Sequence, residues 1–265
     1  MEYKDIRYTV DGDRIATLTF DRPDRMNAYT LRMCDEIVHA LTTYTHDDDA
    51  RVLIITGTGR GFCTGADQKV DDFIEAAKSQ LGHGLAMRRS LHAVNLALYR
   101  LDKPVIGMIN GAAVAGGLSI ALLCDLRIAG DDARLGDTSG KIGLLPDEGG
   151  AWLAPRFMGI EAAMRMTLLN EVYDAHQAQR LGLVGEVVPQ DQLERRTREV
   201  ARELASKAPL AQRVAKRLMR MGLEISFQQS LADAELATFA VNDSDDVKEG
   251  KRAFREKRQP IFEGR

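Results

Sequence analysis

Leu31, Cys34, Ile37, Val38 and Leu41 recur three and four apart, the spacing of one helical face. Thr30 stands just before them, where a hydroxyl can cap the first turn, so the pattern predicts an amphipathic helix starting there. Upstream, Ile6 to Val10 and Arg14 to Phe20 are short β-prone runs joined by Asp11-Gly12-Asp13, which predicts a hairpin. The chain then turns at Arg22-Pro23-Asp24. Val52 to Ile55 and Val105 to Ile109 are continuous apolar runs without alternation, the signature of strands buried on both faces of a parallel sheet. Between them Leu85, Leu91, Val94 and Leu98 mark a helix over Ala86 to Tyr99. Helix and buried strand alternate, which predicts a βαβ unit with right-handed crossovers.

A further strand is expected at Val184 to Val188, after which the pattern is wholly helical. Leu193, Val200, Ala201 and Leu204 form one stripe, and Leu210, Val214, Leu218 and Met221 a second, on a charged background that reads as solvated surface. A final helix is expected at about Leu231 to Ala240. No linker or solenoid repeat interrupts the chain. The expected division is an α/β core over residues 1–195 and a helical region over 196–265.

Composition narrows the function classes. Among 265 residues, 36 basic and 39 acidic side chains leave a net charge of -3, so no global field recruits nucleic acid or an anionic membrane. The cysteines, Cys34, Cys63 and Cys124, are 3 in number and far apart, which fits a reducing compartment and small core residues better than disulfides or zinc. No segment approaches the roughly 20 apolar residues of a membrane span, and Met1 to Val10 carries no signal-like run. The expectation is a cytoplasmic protein with no metal.

Two glycine-rich loops each follow a buried strand: Thr56 to Asp67, and Asn110 to Ser119 leading into an apolar helix. Glycine lets the backbone approach a ligand closely, and free N–H groups at a helix start attract developing negative charge. Either loop alone also reads as a tight turn. Neither has the Gly-Lys-Ser/Thr of a phosphate loop nor dinucleotide-binding spacing. Two such loops at the ends of strands in one sheet can face a common crevice.

The series Arg22-Pro23, Met26-Asn27-Ala28, Gly61 to Asp67, Lys103 to Ile106, Asn110-Gly111, Ala115-Gly116-Gly117, Cys124-Asp125, Ile142 to Pro146, Ala178 to Gly185 and Glu249 to Phe262 resembles the crotonase (enoyl-CoA hydratase/isomerase) superfamily over nearly the whole chain. The resemblance implies an α/β fold, a spiral of ββα turns, with a C-terminal helical region that completes a homotrimer or a dimer of trimers. It implies an acyl-CoA thioester substrate, coenzyme A arriving as part of that substrate with no separate cofactor. The N–H groups of Ala66 and Gly116 would grip the thioester oxygen as an enolate forms, a contact that lowers the barrier more than it tightens substrate binding. By the same resemblance Arg25, Met26, Ala28 and Gln68 would line the CoA path. Phe254 and Lys257 would touch its nucleotide end, alternatives being packing for Phe254 and solvation for Lys257.

Hydratases of this superfamily carry two glutamates at the positions held here by Ser119 and Ser139. Two serines supply neither acid nor base at neutral pH, so hydration by that pair is not expected, and both residues are left as candidates for contact with substrate. Asp147, in Pro146-Asp147-Glu148-Gly149-Gly150, is the candidate base. It also reads as the cap of a following helix, with Glu148 in the first turn. The run Lys141 to Asp147 is most similar to isomerases of epoxyphenylacetyl-CoA and related enoyl-CoAs, which carry an aspartate at this position. The expectation is an acyl-CoA isomerase in which one aspartate moves the proton. A hydratase, another lyase or hydrolase of the fold, and a non-catalytic CoA binder are the alternatives. His83 and His92 lie in or beside the helical stretch between the two glycine-rich loops, His83 within the segment Phe73 to Met87 expected to wall the acyl pocket, and read either as helpers or as solvated or packed histidines.

Overall fold

In a computed structural model, which describes residues 1–70, 78 and 82–265, the N-terminal runs pair as an antiparallel hairpin of β1 (Ile6–Val10) and β2 (Ile15–Phe20). Asp11 Oδ1 accepts the N–H groups of Asp13 and Ile15 and so closes the turn. From β2 the sheet grows in parallel through β3 (Val52–Gly57), β5 (Val105–Ile109), β7 (Leu126–Gly130) and β10 (Glu186–Val188), giving six strands in the order β1-β2-β3-β5-β7-β10. A second sheet of four strands has the order β4-β6-β8-β9, formed by β4 (Gly61–Cys63), β6 (Ala112–Val114), β8 (Arg134–Gly136) and β9 (Val172–Asp174). Three consecutive pairs, β3 with β4, β5 with β6 and β7 with β8, lay one strand in each sheet per turn of chain. That is the ββα spiral of the crotonase fold.

Both faces of the larger sheet are covered, which accounts for the unbroken apolar runs. On one face Leu18, Phe20, Leu53 and Ile55 pack with Met33, Ile37, Leu41 and Tyr44 of α1 (Leu31–His46). On the other, Ile15, Val52, Ile54, Ile106 and Ile128 meet Leu193 and Ala201 of a later helix. Each fully buried large aliphatic side chain contributes about 1.5–3 kcal/mol by leaving water. Thr30 caps α1 through its hydroxyl, which accepts Met33 N–H at 3.1 Å.

The remaining helices are α2 (Gly82–Arg89), α3 (Leu91–Arg100), α4 (Gly116–Leu123), α5 (Gly150–Met158), α6 (Ile160–Leu168), α7 (Ala175–Arg180), α8 (Leu193–Ala205), α9 (Pro209–Gly222), α10 (Phe227–Val241) and α11 (Asp245–Glu256). The pattern-based expectation is departed from in three places. The helix expected over Ala86 to Tyr99 is two, α2 and α3, broken at Ser90, whose hydroxyl bonds the Ala86 carbonyl at 2.7 Å. Helix α8 spans the division expected near residue 195 and packs its apolar side on the six-stranded sheet.

The tail, beyond the final helix expected at about Leu231 to Ala240, forms α11. Its inward positions include Asp246 and Glu249, so no apolar stripe announced it. Ser244 caps its first turn. Asp246 accepts the N–H groups of Glu263 and Gly264, and Glu249 accepts Ile261 N–H and Arg258, which folds the last residues back onto the helix. Asp125 anchors α9 by pairing with Lys216 Nζ at 2.6 Å and Arg220 Nη2 at 2.9 Å. Beyond that anchor α9 and α10 leave Met219, Phe227, Leu231, Leu236 and Phe239 exposed. No helix among the described residues is long and apolar enough to cross a membrane.

Candidate active site

Strands β4, β6 and β8 are adjacent and parallel, so the loops leaving their carboxyl ends, 64–67, 115–119 and 137–149, open on one crevice. In the first loop Tyr29 bridges to Ala66 as in a parallel ladder: Tyr29 N–H donates to the Gly65 carbonyl at 2.8 Å, and Asp67 N–H donates to the Tyr29 carbonyl at 2.9 Å. That pattern turns the Ala66 N–H away from the bridge. In the second loop Gly116 opens α4, where the first N–H groups have no intrahelical acceptor. Neither N–H donates to a protein acceptor among the described residues.

Backbone strain brings the two loops together. Gly65 sits at φ +88, and a Cβ placed there would lie 3.1 Å from Ala115 Cβ and 3.8 Å from Gly116 N. Ala115 holds φ 50, ψ -126, a conformation that side chains disfavour and that aims the next peptide N–H. Two such donors, one at the positive end of a helix, have the chemistry to hold a developing oxyanion. Behind them Arg22 pairs with Asp67 at 2.8 Å and also bonds the Ala28 carbonyl. Burial works against ionisation of Asp67, but Lys69 N–H and Arg22 outweigh it and hold the carboxyl below its usual range. Asp67 therefore braces the loop.

The third loop brings in the carboxyls. Helix α5 is capped by Gly149 at φ 94 with no side-chain bond, so neither Asp147 nor Glu148 caps it, contrary to one of the readings open from sequence. From α3, one turn apart on one face, His92 Nε2 donates to the Asp147 carbonyl at 2.7 Å and Asn95 Nδ2 to the Glu148 carbonyl at 2.6 Å. This clamp leaves Asp147 exposed and turns Glu148 inward to 7% exposure. Burial, reinforced by the charges of Asp147 and Asp137, pushes the Glu148 carboxyl up to about 7. Both acids line a cavity of about 500 Å³ whose apolar wall is Leu96, Tyr99, Leu123, Trp152 and Leu153.

The other expected site residues divide. Ser119 is buried and lines a small cavity with Ala115, Asp137 and Glu148. Ser139 is buried in the adjoining 3₁₀ turn, its N–H donated to Asp137 Oδ1, and lines neither cavity. Met26 lies against the first loop, its carbonyl accepting Thr64 Oγ1 at 3.3 Å, and Gln68 Nε2 reaches the Ala66 carbonyl. Arg25 is exposed at the end of the turn Pro23–Arg25, while Ala28 is buried with its N–H donated to the Arg25 carbonyl. Phe254 is 85% exposed on α11, and Lys257 ends that helix at φ 53; neither lines the cavities of Asp147 and Ser119. His83 is exposed on α2. Of the segment 73–87, residues 73–77 and 79–81 lie outside the described residues.

Residues 11–265 match the family model of enoyl-CoA hydratase/isomerase. The chain is 35% identical over 265 residues to a probable enoyl-CoA hydratase of Rhodobacter capsulatus, covering 100% of both. It is 32% identical over 251 residues, 95% of each chain, to the 1,2-epoxyphenylacetyl-CoA isomerase of Escherichia coli. A solved enoyl-CoA hydratase from Bacillus anthracis superposes with a TM-score of 0.93 at 31% identity, covering 99% of this chain and 100% of that one. With two free N–H groups meeting at the ends of adjacent strands and the likeness running from end to end, the chain belongs to the enoyl-CoA hydratase/isomerase family.

Proposed function

We propose that the protein is an acyl-CoA isomerase, shifting the double bond of an enoyl thioester through an enolate held by the Ala66 and Gly116 N–H groups, with Asp147 removing the α proton. One observation carries this: among the described residues the carboxyls lining the 500 Å³ cavity are Asp147, Glu148 and Glu224, while positions 119 and 139 are serine. A 1,3-proton shift consumes no water and needs no carboxylate at those two positions. The oxyanion donors supply the larger part of the rate, about 3–4 kcal/mol of barrier for each. The apolar wall of the 500 Å³ cavity suits a hydrocarbon or aryl acyl group. Exposed apolar side chains on α9 and α10 support assembly as a homotrimer or a dimer of trimers through the C-terminal helices.

Hydration is the second reading, favoured by the name of the Rhodobacter relative. The two separate when purified protein is offered 3-enoyl-CoA and 2-enoyl-CoA. Isomerisation raises the absorbance of the conjugated thioester from the first, whereas hydration removes it from the second. Asp147→Asn is expected to lower isomerase turnover by roughly 100-fold or more with CoA binding unchanged. Near-normal turnover in that variant refutes Asp147 as the base.

A further inference from the structure

Glu148 has no part in a one-aspartate scheme, yet it lines a pocket beside the second glycine-rich loop. It lines two cavities at once, the 500 Å³ crevice shared with Asp147 and a pocket of about 10 Å³ walled by Ala115, Ser119 and Asp137. Ala115 immediately precedes the Gly116 donor. We infer that Glu148 is the acid that delivers a proton to the γ carbon of the substrate while Asp147 takes one from the α carbon, an inference that rests on the isomerase reading above.

Two further observations say that Glu148 carries a proton to give. Asp137 Oδ2 is buried without a hydrogen-bond partner among the described residues, and it borders the small pocket that Glu148 enters. A buried carboxyl oxygen calls for a donor, and a protonated Glu148 can act as one from the same pocket, as can the Ser119 and Thr167 hydroxyls. The pocket is at the lower limit for a single water, so a bridge through one water is the alternative link between the same groups. The titratable groups facing Glu148 are Asp147 beside it, Asp137 from the 137–139 loop, His92 from α3, and Tyr29 and Cys63 from the oxyanion side. None is a lysine or arginine, and burial among carboxyls favours the neutral acid. Ser119 completes the pocket with a side chain short enough to leave that space to Glu148.

The chemistry balances. Asp147 carboxylate takes the α hydrogen, and the C–H electron pair moves into the enolate, whose oxygen is held by Ala66 and Gly116. As the enolate collapses, the new double bond forms between the α and β carbons. The electrons of the old one capture the Glu148 proton at the γ carbon. Asp147 is left as the acid and Glu148 as the carboxylate, and proton exchange between the neighbouring acids, with solvent open to Asp147, restores both.

The test uses 3-enoyl-CoA carrying deuterium at both α hydrogens, in ordinary water, in a single turnover with wild-type enzyme in excess. Wild type is expected to place protium at the γ carbon, read by mass spectrometry and NMR of the product. Glu148→Gln is expected to turn over roughly 100-fold more slowly or worse, with deuterium carried from the α to the γ carbon by Asp147 alone. Deuterium at the γ carbon in the wild-type product overturns the inference, as does a Glu148→Gln variant with wild-type rate and label pattern. Should the glutamine variant fail to fold, Glu148→Asp takes its place: slowed turnover with protium retained at the γ carbon supports the assignment, and an unchanged rate overturns it. If wild type converts no 3-enoyl-CoA, the isomerase reading itself fails, which is a distinct result.

Discussion

Replacing Glu148 by glutamine removes one titration from the folded state, and its effect on stability has a definite sign. Burial first, and then the charges of Asp147 and Asp137, move the carboxyl from an ordinary 4.5 to about 7. Below pH 4.5 folded and unfolded chains both hold the proton, and Glu148 costs nothing. Between 4.5 and about 7 the unfolded chain releases it while the folded chain retains it, so stability falls as pH rises, by about 1.4 kcal/mol per pH unit for one proton. Above about 7 both states are ionised and the loss stays constant. Integrated over that window the loss is about 3 kcal/mol, an upper figure because native structures relax around buried charge. Glutamine keeps the size of the side chain and escapes the loss. The assay is urea unfolding of both proteins at fixed concentration from pH 4 to 8.5. The two curves should nearly coincide at the acid end and diverge upward through pH 7 in favour of Glu148→Gln. All other groups are common to both proteins, so a difference that is flat with pH refutes a proton held on Glu148, and one growing toward acid reverses the sign of the argument.

Other consequences follow from the same geometry. Gly65→Ala forces a side chain into φ +88 and to 3.1 Å from Ala115 Cβ, pushing the first oxyanion donor from the second. Turnover should fall by roughly 100-fold together with a loss of about 1–2 kcal/mol in urea unfolding from the strained backbone, and an unchanged kcat shows that the spacing of the two donors is not what the glycine protects. Asp125→Ala strips Lys216 and Arg220 of their shared carboxylate and frees Val105 N–H, so it should cost about 3–5 kcal/mol in urea unfolding and expose α9 to proteases; loss below 1 kcal/mol refutes the anchor. Burial raises the thiols of Cys63 and Cys124 to about 12 and that of Cys34 well above its ordinary range. Native protein at pH 8 should be inert to Ellman's reagent and should release 3 equivalents on unfolding; a fast native phase contradicts the burial.

What could be read from the chain, and what could not, follows from where the information resides. The strands at Val52 and Val105 were legible because burial on both faces leaves an unbroken apolar run, and α1 was legible because its stripe and its Thr30 cap agree. Helix α11 was not, since its inward positions include Asp246 and Glu249, satisfied by backbone N–H groups of residues 261–264 rather than by apolar contact. The proposed oxyanion donors are backbone groups, so they show in sequence only through the residues that permit the geometry: Gly65 at positive φ, and Gly116, where a Cβ would come within 2.7 Å of Tyr29 Cε1. The acids are harder. Between β8 and α5 no periodic element fixes which neighbour in Asp147-Glu148 turns inward, and a loop residue is not placed by alternation. That choice is made by His92 and Asn95, more than fifty positions earlier, which claim the two carbonyls and so rotate the peptide between the acids. The consequence for the proposed chemistry is specific: a chain with the same loop but with nonpolar residues at 92 and 95 would keep the Ala66 and Gly116 N–H groups in place and lose the orientation of Glu148. The double variant His92→Ala, Asn95→Ala should therefore depress turnover while leaving CoA binding intact, and normal turnover in it would mean that the loop orients itself.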